Sequence, residues 1–168
     1  MSKLDDSLNS LAVGIRKVFK QTHAGVALSG AALVDQALEV TLVGRMPQLN
    51  RAMHDKLFQG YGPLSSFSAK IDVAFALALL DKRTHAKLSI VRKIRNEFAH
   101  SSEPLSFESP VIMSLLSLAR NPGEDPGEDS SDGRTFYLSL LAGSVERLKD
   151  APAQTKAFLE SLQVLRDQ

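Results

Sequence analysis

A chain of 168 residues with a formal net charge of +1 is long enough for one domain with a substantial core and too short for two full ones. With no cysteine it can hold no disulfide, thiolate metal site or cysteine nucleophile, and it fits a reducing compartment. The balance of 20 Lys and Arg against 19 Asp and Glu gives no global draw toward nucleic acid, and MSKLDDSLNS places acids where a signal peptide needs a basic and then apolar start. The expectation is a cytoplasmic protein without a membrane segment, no apolar run reaching spanning length.

Residues 4–20 carry Leu8, Leu11, Ala12, Ile15, Val18 and Phe19 at the i, i+3, i+4 spacing of an amphipathic helix. Residues 23–43 predict a second helix whose small residues, Ala24, Gly25, Ala27, Ser29, Gly30, Ala31 and Ala32, allow close approach of a neighbour. The two glycines weaken it by about 1 kcal/mol each relative to alanine. Asp35 and Glu39 are its only acids and share one face, one turn apart. Such a pair can hold a metal, accept from an arginine or face water; with no histidine at ligand spacing nearby, arginine pairing is the favoured reading and no metal is expected.

A short helix is predicted over 50–58, with His54 on its surface, followed by the turn residues Gly60, Tyr61, Gly62 and Pro63. Ser65 or Ser66 then caps a helix reaching Leu80. Lys70 and Asp72 are its only ionisable side chains, so it reads as the central core helix, enclosed on every side.

The next helix, over 84–99, gathers Leu88, Val91, Ile94, Phe98 and Ala99 on one face at about 100° per residue, and Arg95 falls inside that apolar arc. A buried guanidinium needs an acceptor, and Asp72, Asp35 and Glu39 are the candidates for a structural ion pair with it. The same segment concentrates Lys82, Arg83, Lys87, Arg92, Lys93 and Arg95, of which Lys87, Arg92 and Lys93, with Asn96, remain available as a patch to meet phosphate.

Prolines 104 and 110 punctuate a loop, after which residues 111–120 predict a short apolar helix. Residues 121–133, NPGEDPGEDSSDG, bear five acids and no base and read as a mobile, solvated acidic loop. Helices over 134–149 and 153–165 finish the chain; TFYLSLL could pass for a strand on β-propensity, but length favours the helix, and Pro152 suits a first turn. No βαβ alternation, Gly-rich phosphate loop, nucleophile elbow or zinc spacing occurs. The fold class expected is a single-domain all-α bundle of seven or eight helices, with no cofactor.

The stretch GYGPLSSFSAKIDVAFALALL followed by VRKIRNEFAHS resembles the mannitol operon repressor family of bacterial regulators. The resemblance implies an all-helical domain and a role in transcriptional regulation of sugar-alcohol uptake. A helix-turn-helix reader presents a second helix free to meet base edges, and no pair here has that character. A regulator of this kind would therefore act through a protein partner, as a possible homo-oligomer, and direct DNA binding is not expected.

A second resemblance lies in Arg95, Asn96 and His100, which match the R-N-x-x-x-H pattern of HEPN-type helical domains. It implies a metal-independent endoribonuclease working as a dimer, or a nucleotide-binding module, with RNA as partner in that reading alone. His100 would move a proton and Arg95 would stabilise the phosphorane charge. Residues five apart sit about 140° around a helix, so the two converge only if the helix ends near Ala99 or two copies meet. His100 as a C-terminal cap is the structural alternative.

Overall fold

A computed structural model describes residues 3–18, 20–120 and 132–166, with side chains described as far as residue 149 apart from residues 3–5 and 16. Its helices are α1 (Lys3–Val18), α2 (His23–Val43), α3 (Arg51–Phe58), α4 (Phe67–Ala76), α5 (Lys82–His100), α6 (Pro110–Ala119) and α7 (Gly133–Arg166). No strand occurs among the described residues, so the all-α expectation holds and TFYLSLL is helical. Of the acidic loop expected over 121–133, residues 121–131 lie outside the described residues, while Asp132 and Gly133 belong to the start of α7.

Polar side chains fix where the helices begin. The oxygens of Thr22, Asn50, Ser66 and Asp81 accept from the backbone N–H three residues on, satisfying donors that the first turn cannot use. Pro110 opens α6, where its missing N–H costs nothing. Gly62 lies so close to the carbonyls of Lys56 and Leu57 that a Cβ there would collide with backbone, which is why the turn into α4 takes a glycine.

The central element is α2, which packs against α1, α4, α5 and α7 and buries Val26, Ala27, Ala31, Val34, Ala37 and Leu38 completely or nearly so. That corrects the expectation that the helix after Ser66 is the core rod. α4 stops at Ala76, Ala78 turns with a φ of 55°, and only then do Leu79 and Leu80 swing into the core. The apolar run is thus split between a helix and a turn, with Phe75 and Leu77 left exposed. α2 is also long and apolar enough to cross a membrane, contrary to the sequence expectation, but four packed neighbours account for its apolar character.

α7 runs through Pro152 as one helix where two were expected. Its first turns seal the core: Gly30 lets α7 approach α2 so closely that a Cβ would strike Leu141, and the Tyr137 hydroxyl donates to the Ala27 carbonyl at 3.1 Å. Tyr137 also packs on Phe107 at 5.1 Å between ring centroids, and Phe107 on Phe98 at the same separation.

Candidate functional site

Beneath the surface between α2 and α4 lies a polar group of side chains in an otherwise apolar layer. Lys70, only 4% exposed, sends its ammonium between the two acids of α2: Nζ is 2.7 Å from Glu39 and 3.2 Å from Asp35. His54 Nε2 reaches Glu39 from the other side at 3.0 Å while its ring stacks on Phe58 at 5.0 Å. Lys70 therefore takes the place proposed for Arg95, because α4 crosses α2 at the height of the acids. His54 is half-buried and paired, not a surface residue. Asp72, the remaining candidate acceptor for Arg95, pairs with His85 at 3.0 Å.

Burial raises the Asp35 carboxyl above its ordinary range, and the neighbouring Glu39 adds to this; Lys70 and, more weakly, Arg95 pull it back without cancelling the shift. One of its oxygens is buried without a hydrogen-bond partner. The acids are thus already engaged, and no group of three His, Asp or Glu suited to a metal occurs among the described residues.

Arg95 lies outside this network. It is exposed, and its guanidinium donates to the side-chain Oδ1 of Asn96 at 3.0 Å. Together with Arg92 and Ala99 it forms one wall of a groove of about 690 Å³; Asp35, Leu28, Ala31 and Ala32 of α2 form the second, and Ser65, Ser66, Phe67 and Ser68 the third. Arg92 has no hydrogen-bond or ion-pair partner among the described residues. On the far side of Asn96 a second depression, of about 390 Å³, is lined by Asn96, Glu97, His100, Ser101, Glu103 and Val111.

Of the R-N-x-x-x-H residues, Arg95 and His100 are exposed and Asn96 is half-buried, and Arg95 and His100 open into different depressions that share Asn96. His100 is exposed in the last turn of α5, whose C-terminal N–H bond is made by Ser101 to the Glu97 carbonyl. The basic patch is not brought together. Lys87 lines a cleft against α7 with Arg83 and Arg147, Arg92 lines the groove toward α2, and Lys93 is exposed and lines neither. Sequence reasoning does not find the role of Lys70, although a lone cation in an apolar stretch, with two acids a turn apart elsewhere in the chain, is the signal that carries it.

Fold and site define an all-α bundle with a polar, arginine-walled groove along one helix. No protein-family model matches the chain, and no characterised protein matches its sequence. Among solved structures it is similar to the X-ray structure of the MtlR–HPr complex from Escherichia coli, with a TM-score of 0.64 and 13% identity over 85% of this chain and 98% of that one. The likeness is one of fold.

Proposed function

We propose that this chain is a cytoplasmic transcriptional regulator of the mannitol operon repressor type that works by docking another protein. The observation that carries the reading is the likeness of fold to MtlR, a protein seen in complex with HPr, over 85% of this chain and 98% of that one. The helix surfaces support it. The most basic helix, α5, buries Leu88, Ile90, Val91, Ile94 and Phe98 and splits its cations between two clefts, so it offers no continuous face to a DNA groove. Titration calorimetry with HPr from the same organism tests this: saturable heat and co-elution are expected. Absence of binding up to about 100 μM, weaker than the micromolar range of regulatory encounters, overturns it.

One observation favours a second reading, a HEPN-like metal-independent ribonuclease. Arg95 is not locked into an ion pair, and Arg95, Asn96 and His100 all stand at the surface. Cleavage of mixed-sequence RNA in excess EDTA, lost by about 10²-fold or more in folded Arg95→Ala and His100→Ala variants, is the expected result for an enzyme. A wild-type chain without cleavage leaves the docking reading alone.

A further inference from the structure

We infer that the groove between α2, residues 65–68 and α5 is a binding site for a phosphate monoester. Arg92 and Arg95 are three residues apart on α5, which puts their Cβ atoms about 5–6 Å from each other on one face. Both line the same groove, and Arg92 has no protein partner among the described residues. Each guanidinium carries five N–H donors in a planar fork, so the pair offers more donors than one carboxylate can accept. A tetrahedral dianion with three terminal oxygens matches that supply. Ser65, Ser66 and Ser68 add hydroxyls on the opposite wall; Ser66 uses its oxygen as an acceptor from Ala69 N–H and keeps its own proton to donate.

The size of the groove says that phosphate does not come alone. At about 690 Å³ it is in the range of small-molecule pockets, far larger than one phosphate. Leu28, Ala31, Ala32, Phe67 and Ala99 supply apolar wall for the body that bears it. Charge also fits one anion rather than a track of them. Arg92 and Arg95 bring two positive charges, Asp35 on the facing wall is held by Lys70 at 3.2 Å, Lys93 between the two arginines does not line the groove, and the earlier cations of α5, Arg83 and Lys87, line a different cleft. A single-stranded nucleic acid needs a continuous basic groove.

The test uses the full chain alone, with no HPr present, so its outcome is independent of whether docking occurs. The arginine Nε–H and backbone amide signals are followed by NMR at constant ionic strength while inorganic phosphate, a phosphoserine peptide, its unphosphorylated counterpart and a short oligoribonucleotide are added in turn. Saturable shifts at Arg92, Arg95 and residues 65–68 are expected with phosphate and the phosphopeptide and not with the unmodified peptide. Tighter binding of the phosphopeptide assigns the group to a partner's phosphorylated side chain, and equal binding of the two assigns it to a small phosphate ester; both support the site. Arg92→Gln and Arg95→Gln should each weaken binding about tenfold or more, as loss of charge-assisted hydrogen bonds predicts, while Arg→Lys keeps part of it. Asp35→Asn, which removes a negative charge from the wall, should tighten it, and Lys87→Gln should change nothing. Shifts that map to Arg83, Lys87 and Arg147, that survive Arg92→Gln with Arg95→Gln, or that only the oligoribonucleotide produces would overturn the assignment.

Discussion

Lys70 is the residue on which the site depends for its charge balance. With the ammonium 2.7 Å from Glu39 and 3.2 Å from Asp35, removing it leaves two carboxylates facing each other in a poorly solvated layer. Breaking a fully buried ion pair costs about 3–5 kcal/mol; the acids here keep a quarter to a third of their exposure, so Lys70→Met should cost about 2–3 kcal/mol in urea denaturation at neutral pH. Asp35→Asn with Glu39→Gln should recover most of that loss. The sign of the pH dependence follows from the raised Asp35 pKa: the folded state holds the proton more tightly than the unfolded one. Asp35 thus contributes stability that is complete below its ordinary 3.8 and lost as pH rises through the folded value. In the Lys70→Met variant this trend should steepen, and a flat profile would deny that Lys70 is what permits ionisation. The same residues show where the sequence misleads. Arg95 has nearly the angular position of Leu88, two turns earlier, and a helical wheel projects both onto one point. Leu88 is wholly buried and Arg95 exposed, because packing at that angle gives way to the groove before it reaches Arg95. A wheel holds no information about position along the axis.

At the level of elements, the start of α4 was legible because Ser66 caps it by local chemistry, whereas α5 begins at Lys82, two residues before the expected 84, on a cap that sequence reasoning does not name. Ser66, Asn50 and Asp81 stand where the chain must supply an acceptor to a first turn, and each does. The end of α4 depends instead on a turn that brings Leu79 and Leu80 into the core, a tertiary gain that an uninterrupted apolar run conceals. α7 begins on Asp132, whose carboxylate accepts from the N–H groups of Arg134 and Thr135 and from the Thr135 hydroxyl at 2.7 Å. The hydroxyl bond first, then these backbone bonds, lower its pKa against a partial opposing effect of burial. A lowered carboxylate pKa contributes stability that is present above the ordinary 3.8 and lost as pH falls through the folded value. Asp132→Ala should cost about 1 kcal/mol at neutral pH, as caps of this kind do. Asp132→Asn, which still accepts, should cost less and should remove the acid-side dependence. Thermal melts followed by circular dichroism at neutral pH and in mild acid separate the two variants; equal losses for both at each pH would mean that the charge on Asp132 does nothing.

The whole molecule is tied together at Tyr137, where α7, α2 and residue Phe107 of the loop before α6 converge. The ring is fully buried, its hydroxyl donates to Ala27 on α2, and its face lies against Phe107, which in turn meets Phe98 of α5. Neither the partner carbonyl nor the aromatic neighbours can be read from the sequence, since they lie 110 and 30 residues away and follow only from how the helices cross. Burial drives the phenol far above its ordinary 10.0, against a slight lowering by Arg95. The folded chain therefore retains a proton that the unfolded chain releases. Stability contributed by Tyr137 is complete below the unfolded value and falls as pH rises beyond it, so alkali should unfold the bundle by withdrawing this proton. Tyrosine occurs twice in the chain, and the other, Tyr61, is fully exposed. In a Tyr61→Phe background the phenolate absorbance of Tyr137 should appear only as the helical circular dichroism disappears, the two curves coinciding at every pH. Tyr137→Phe should shift that alkaline transition to higher pH even as loss of the bond to Ala27 costs about 1 kcal/mol at neutrality. Phenolate signal that precedes loss of helix would mean that α7 opens locally from α2, and that the bundle is not held as one unit through this ring.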